Sequence, residues 1–110
     1  MGDIATNRYT QQTMIIRLVR MQFQEQHVKE FLDIFVRHKH AIRDFAGCTH
    51  LELVKDINLK DCYWTLSTWE SVGNLEAYRQ SELFKQVWQK VKPMFREKAA
   101  AFSVEKFMES

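Results

Sequence analysis

Trp69, Tyr78, Phe84 and Trp88 stand close together in one run of the chain, where a strand gives way to helical sequence. Large flat side chains gathered where a sheet edge meets a helix can wall an apolar pocket. Tyr78 adds a hydroxyl that needs a partner when buried, which makes it a candidate to orient a substrate oxygen. His38 and Arg17 lie elsewhere in the sequence but on faces that could reach the same place. An imidazole can act as a base or a hydrogen-bond donor, and a guanidinium can hold an anion. The chemistry these types support is the binding and polarisation of a small, flat, oxygen-bearing molecule. Other chemistries lack their residues. Only three glycines are present, with no phosphate loop. There is no Cys/His cluster spaced for zinc and no Ser-His-Asp signature. No metal or other cofactor is expected.

Each candidate also has a plainer reading. Trp69 is either a pocket wall that stacks on a substrate or a core aromatic that plugs the sheet edge. His38 is a candidate catalytic group. Yet a histidine on an apolar helix stripe is commonly buried, neutral and satisfied by a carbonyl. His40 is two residues on, so the two cannot chelate a metal from one helix. His50 and His27 read as interface or surface residues. Phe84, Val87, Trp88, Val91 and Phe95 recur at helical spacing, which reads as core first and pocket second. Phe35 and Trp88 are candidate substrate-binding walls. Arg17 and Arg20 interrupt an apolar strand on opposite faces. Either could hold an anion, but an ion pair with Glu52 or Glu105 is favoured, since buried Arg is rarely left unpaired.

The elements that would position these groups follow from periodicity. Residues 13–23 are β-branched and apolar on both faces, which predicts a central strand. Val28, Phe31, Leu32, Phe35, His38, Ile42 and Phe45 predict a helix over 25–45, with Gly47 as its stop. Residues 48–55 and 62–69 predict a hairpin joined by polar turn formers. A turn centred on Asn58 would place Cys62 opposite Val54 and Thr68 opposite Cys48. Ser71 reads as a helix cap, and a second helical region spans 72–98 with a break near Ser81. Pro93 kinks it or ends it early. Residues 101–108 predict a last strand.

The order is β-α-β-β-α-β, an α+β fold of the ferredoxin-like kind with a four-stranded antiparallel sheet and two helices on one face. The first strand is apolar on both sides, so the uncovered sheet face should meet a second copy. A homodimer, two sheets pressed into one α/β barrel, is expected.

At 110 residues the chain is read as one domain over 13–110, after a polar, flexible N-terminal arm over 1–12. The net charge of +2 is too even for a nucleic-acid footprint. No apolar run is long enough for a membrane span, and no secretory signal core opens the sequence. A cytoplasmic protein is expected. Cys48 and Cys62 fall at separated rungs of the hairpin and are read as reduced.

Phe45-Ala-Gly-Cys48, Leu51-Glu-Leu53, Thr68-Trp-Glu-Ser71 and Tyr78-Arg-Gln-Ser-Glu-Leu-Phe84, in that order and spacing, resemble the antibiotic biosynthesis monooxygenase family over about residues 14–107. The resemblance implies a dimeric α/β barrel with a pocket between sheet and helices in each subunit. It implies oxidation of phenols or quinols by O₂ without metal or flavin. Other branches degrade haem or act on a bacterial signalling sugar derivative. The haem-degrading pattern has an Asn on the first strand, a Trp ending the third and a ligating His on the second helix. Trp69 matches the Trp, but Val19 and Trp88 stand at or near the other two positions, so no haem is expected. The resemblance therefore implies a cofactor-independent monooxygenase of a small aromatic or apolar molecule. The alternatives are a non-catalytic binding or structural dimer, or an isomerase-type activity on a signalling metabolite.

Overall fold

A computed structural model describes residues 13–110. The arm expected over 1–12 lies outside the described residues. Strand β1 (Ile15–Gln22) leads through a 3-10 turn (Glu25–His27) into helix α1 (Val28–Arg43), then to strands β2 (Cys48–Lys55) and β3 (Cys62–Trp69), helices α2 (Val72–Arg79) and α3 (Glu82–Val91), and strand β4 (Ala100–Glu105). The sheet is antiparallel, in the order β2-β3-β1-β4, and is not closed. The order is thus β-α-β-β-α-α-β. The second helical region is two helices, because two serines act in turn as caps. Ser71 Oγ accepts from the Asn74 amide and Ser81 Oγ from the Phe84 amide. Each satisfies a backbone donor that a helix start leaves free. Pro93 sits in a 3-10 turn (Lys92–Met94), so it ends α3 rather than kinking it.

Gly47 stops the passage out of α1 with φ 86°, a conformation a Cβ would strain. The hairpin register differs from the one expected. Val54 faces Trp64 and His50 faces Thr68, two residues away from the sequence-based pairing, with an irregularity between Cys48 and His50. The loop sets this shift. Asp56 accepts from the amides of Asn58 and Leu59, and Asp61 takes up φ 56°, so the turn centre lies past Asn58. Cys48 and Cys62 are buried, free, and at opposite ends of the hairpin.

On the helix-covered face, two rungs between β1 and β3 carry large side chains and two carry small or polar ones. Ile15 faces Trp69 and Met21 faces Tyr63, while Arg17 faces Ser67 and Val19 faces Thr65. Ala101 and Ser103 of β4 flank the small rungs. Bulk at both ends closes the space between sheet and helices. Around Met21, the buried Phe23, Phe31, Ile34, Val91 and Met94 form one core cluster. Around Ile15, the buried Cys48, Trp69 and Leu75 form another. Ile34 carries the α1 core together with Phe31 and Ile42, although it was not among the sequence's stripe positions. The opposite face carries Ile16, Leu18, Leu66, Phe102 and Val104 with no layer over it among the described residues; Phe102 and Val104 are about half exposed.

Candidate functional site

The small middle rungs make a floor. Val19, Thr65, Ser67 and Ala101 lie under a cavity of about 300 Å³ roofed by Phe31, Phe35, Ile42, Leu75, Tyr78, Phe84, Val87 and Trp88. Arg17 and Arg79 are its charged lining residues. The walls come from all three α-helices and all four strands, so the site exists only once the sheet register and the helix break are in place.

Of the six residues singled out in the sequence, four meet in this cavity: Tyr78, Trp88, Phe35 and Arg17. Trp69 lies behind the wall. It is fully buried, its indole Nε1 donates to Ser67 Oγ at 2.9 Å, and it stacks on Tyr78 with ring centroids 4.9 Å apart. Trp69 therefore fixes the tilt of the Tyr78 ring rather than offering its own face to the cavity. His38 is on α1, outside the lining. Burial, then the charges of Lys90 and Arg37, hold its imidazole below the usual histidine range. None of the four histidines lines the cavity.

Trp88 is half-buried, stacked on Phe84 at 5.9 Å and edge-on to Phe95 at 5.4 Å. Within α3 only Val91 is buried. The helical stripe that read as core is thus mostly cavity wall. The Tyr78 ring is boxed by Phe45 and Phe84 as well as Trp69. Its hydroxyl has no hydrogen-bond partner among the described residues. Burial first, then the nearby Cys48, push its pKa far above the ordinary tyrosine value, so at neutral pH the phenol is a donor and not a base.

Arg17 Nη1 donates to Ser103 Oγ at 2.8 Å, across the β1–β4 rung. It makes no ion pair with Glu52 or Glu105. Burial, then the like charge of Arg79, lower the Arg17 pKa, with Glu76 acting the other way. Arg79 Nη1 donates to Glu76 Oε1 at 2.7 Å, while its buried Nε has no partner among the described residues. Arg79 went unnoticed in the sequence because it follows Tyr78 near the end of a helix, where a basic residue ordinarily serves the helix dipole. Among the described residues, no group of three or more His, Cys, Asp or Glu side chains is placed to hold a metal ion.

The family model described as antibiotic biosynthesis monooxygenase matches residues 14–90. The chain belongs to this family. Solved structures named for the same family superpose closely. One from Caulobacter crescentus gives a TM-score of 0.82 at 16% identity, covering 94% of this chain and 99% of its own. One from Bordetella bronchiseptica gives 0.78 at 22% identity, covering 88% and 100%. A conserved protein from Methanosarcina mazei gives 0.81 at 14% identity, covering 88% and 96%. At such identities the likeness speaks for the fold alone. No curated protein sequence matches the chain. As a member of the family, this chain has the ferredoxin-like fold. No helix of the described residues is long and apolar enough to cross a membrane.

Proposed function

We propose that this family member is a monooxygenase that uses O₂ to oxidise a small phenol or quinol held in the cavity between sheet and helices. The observation that carries the reading is the cavity itself. Its volume of about 300 Å³ sits at the lower end of ligand-pocket sizes and fits a one- or two-ring molecule. Aromatic side chains wall it, and the Tyr78 phenol is available to donate to a substrate oxygen.

The reaction balances without an added reductant. A C–H carbon of the quinol ring gains a C–O bond, the O–O bond breaks, and the second oxygen leaves as water. All four electrons come from the substrate, which departs as a hydroxyquinone. Triplet O₂ accepts electrons readily only from an electron-rich anion. The protein's part is to hold the flat ring, favour its phenolate and exclude water. Tyr78 donates to the ring oxygen and the positive field of Arg17 and Arg79 favours the anion. Trp88, Phe35 and Phe84 keep the ring dry.

The same reading covers the open sheet face with a second copy, since Ile16, Leu18, Leu66, Phe102 and Val104 form an apolar strip on it. Sedimentation at micromolar concentration is expected to give a dimer, and a lone protomer would overturn that part. The activity test is O₂ uptake by the pure full chain with a panel of naphthoquinols and hydroxylated anthrones. Uptake matched to quinone formation is expected. Background uptake with every member of the panel would overturn the reading, and binding without uptake would make the cavity a carrier site.

A further inference from the structure

The cavity holds more positive charge than it balances. Two guanidiniums line it and no carboxylate does. Glu76 offsets one of them through Arg79 Nη1, while Arg17 is held by the neutral hydroxyl of Ser103. The Arg79 side chain is 40% exposed, so water tempers part of this charge, but apart from Thr65, Ser67 and Tyr78 the rest of the lining is apolar. Arg79 Nε is buried and has no hydrogen-bond partner among the described residues. A buried donor without a partner is costly and is rarely left so in native proteins. After a small turn of the guanidinium an anionic oxygen would satisfy it, and would also offset the like charge that Arg79 presents to Arg17.

We infer that Arg17 and Arg79 form an anion clamp, and that the natural ligand is a flat aromatic acid bearing a carboxylate or a phenolate that lies against this pair, with its rings among Phe35, Phe84 and Trp88. The inference rests on the aromatic reading of the cavity proposed above and names the class of molecule it selects. The carboxylate and the phenolate share the recognising chemistry, an anionic oxygen taking charge-assisted hydrogen bonds from guanidinium. A neutral aromatic of the same shape would leave Arg79 Nε unpaired.

Calorimetry with the full chain at neutral pH compares 2-naphthoate with 2-naphthalenemethanol, its neutral counterpart. Naphthoate is expected to bind tighter by about tenfold or more, the worth of one charge-assisted hydrogen bond. Arg79→Gln and Arg17→Gln should each remove most of that preference, the acid losing far more affinity than the alcohol. Arg79→Lys keeps the charge but removes the Nε donor, and should restore only part of it. The phenolate arm uses a nitrophenol, whose anion is coloured. The wild type should increase the phenolate band on binding and Arg79→Gln should not.

Equal affinity for acid and alcohol, with or without the arginines, overturns the clamp and leaves the aromatic cavity standing. Oxygen uptake from quinols that Arg79→Gln and Arg17→Gln leave unchanged does the same. Failure of both naphthalenes and the nitrophenol to bind at millimolar concentration overturns the clamp and the aromatic reading together.

Discussion

One end of the helix–sheet layer and its middle are built from the same kinds of side chain and do opposite things. Around Met21, the rings of Phe23 and Phe31 stack at 4.2 Å, and Tyr63 and Phe95 close on Phe23 at 6.2 and 5.4 Å. That end is filled. Under α2 and α3, Tyr78, Phe84 and Trp88 make ring contacts just as close and yet surround a cavity. The difference lies beneath them, in the sheet. Large residues on the Met21–Tyr63 rung meet the aromatics from below. Ser67, Thr65 and Ala101 on the neighbouring rungs do not reach them. Aromatic content alone does not tell a core from a pocket. The volume of the side chains on the facing strands decides it.

The contrast breaks most visibly at Phe23 and Trp88. Phe23 is fully buried, lies outside the cavity lining and packs on Phe31, Tyr63 and Phe95, so Phe23→Ala should lose about 3–5 kcal/mol of unfolding free energy in urea. Trp88→Ala should lose only about 1–2 kcal/mol, because one side of the ring already faces a cavity. Its effect should instead fall on ligand affinity, read by calorimetry with 2-naphthoate. Equal stability losses at the two positions would mean that the aromatics of α3 are core after all.

Ser67 tests the floor. Its hydroxyl is the acceptor for the indole Nε1 of Trp69, a fully buried donor. Ser67→Ala should cost about 1–3 kcal/mol, since the donor is left without a partner in a dry site. The loss should appear as a lower urea midpoint with an unchanged slope. The same substitution frees the tilt of Trp69, and Tyr78 stacks on it, so near-ultraviolet circular dichroism should change as well.

Thr65 tests the opposite move. Its side chain is part of the floor, and Thr65→Leu adds apolar volume where the cavity has room. Filling a cavity commonly adds about 0.5–2 kcal/mol to stability. The expected variant is more stable than the parent and binds naphthoate more weakly. A destabilised variant would show that this part of the layer is already packed to density.

The strand and helix order was legible in the sequence because two-sided apolar runs and helical stripes are strong local signals. So was the break at Ser81, where a capping serine follows one short helix and starts another. The hairpin register was not, because Asp56 and Asp61 set it through side-chain capping and a left-handed turn that composition does not reveal. Tyr78, Trp88, Phe35 and Arg17 could be named as wall residues, but which aromatics line a space and which fill one depends on the facing rung. That rung is a product of register. Trp69 and Arg79 show the cost of lacking it. Trp69 turned out to buttress the wall from behind, and Arg79 was passed over as an ordinary residue of a helix end.

The smallest expected effect is a pH dependence that arises at the cavity wall. Tyr78 has its pKa raised in the folded protein by burial, with Cys48 adding to the shift. The unfolded chain ionises its tyrosines near the ordinary value of about 10. Below that pH both states keep the proton and Tyr78 contributes no slope. Above it the unfolded state loses the proton and the folded state does not, so stability falls as pH rises. Tyr78→Phe should flatten the alkaline decline in urea midpoint measured from pH 9 upward. If Tyr78→Phe left the alkaline decline unchanged, the phenol would be open to water in the folded protein. It would then be solvated rather than poised to donate to a ligand, and the cavity would lose a neutral polar anchor.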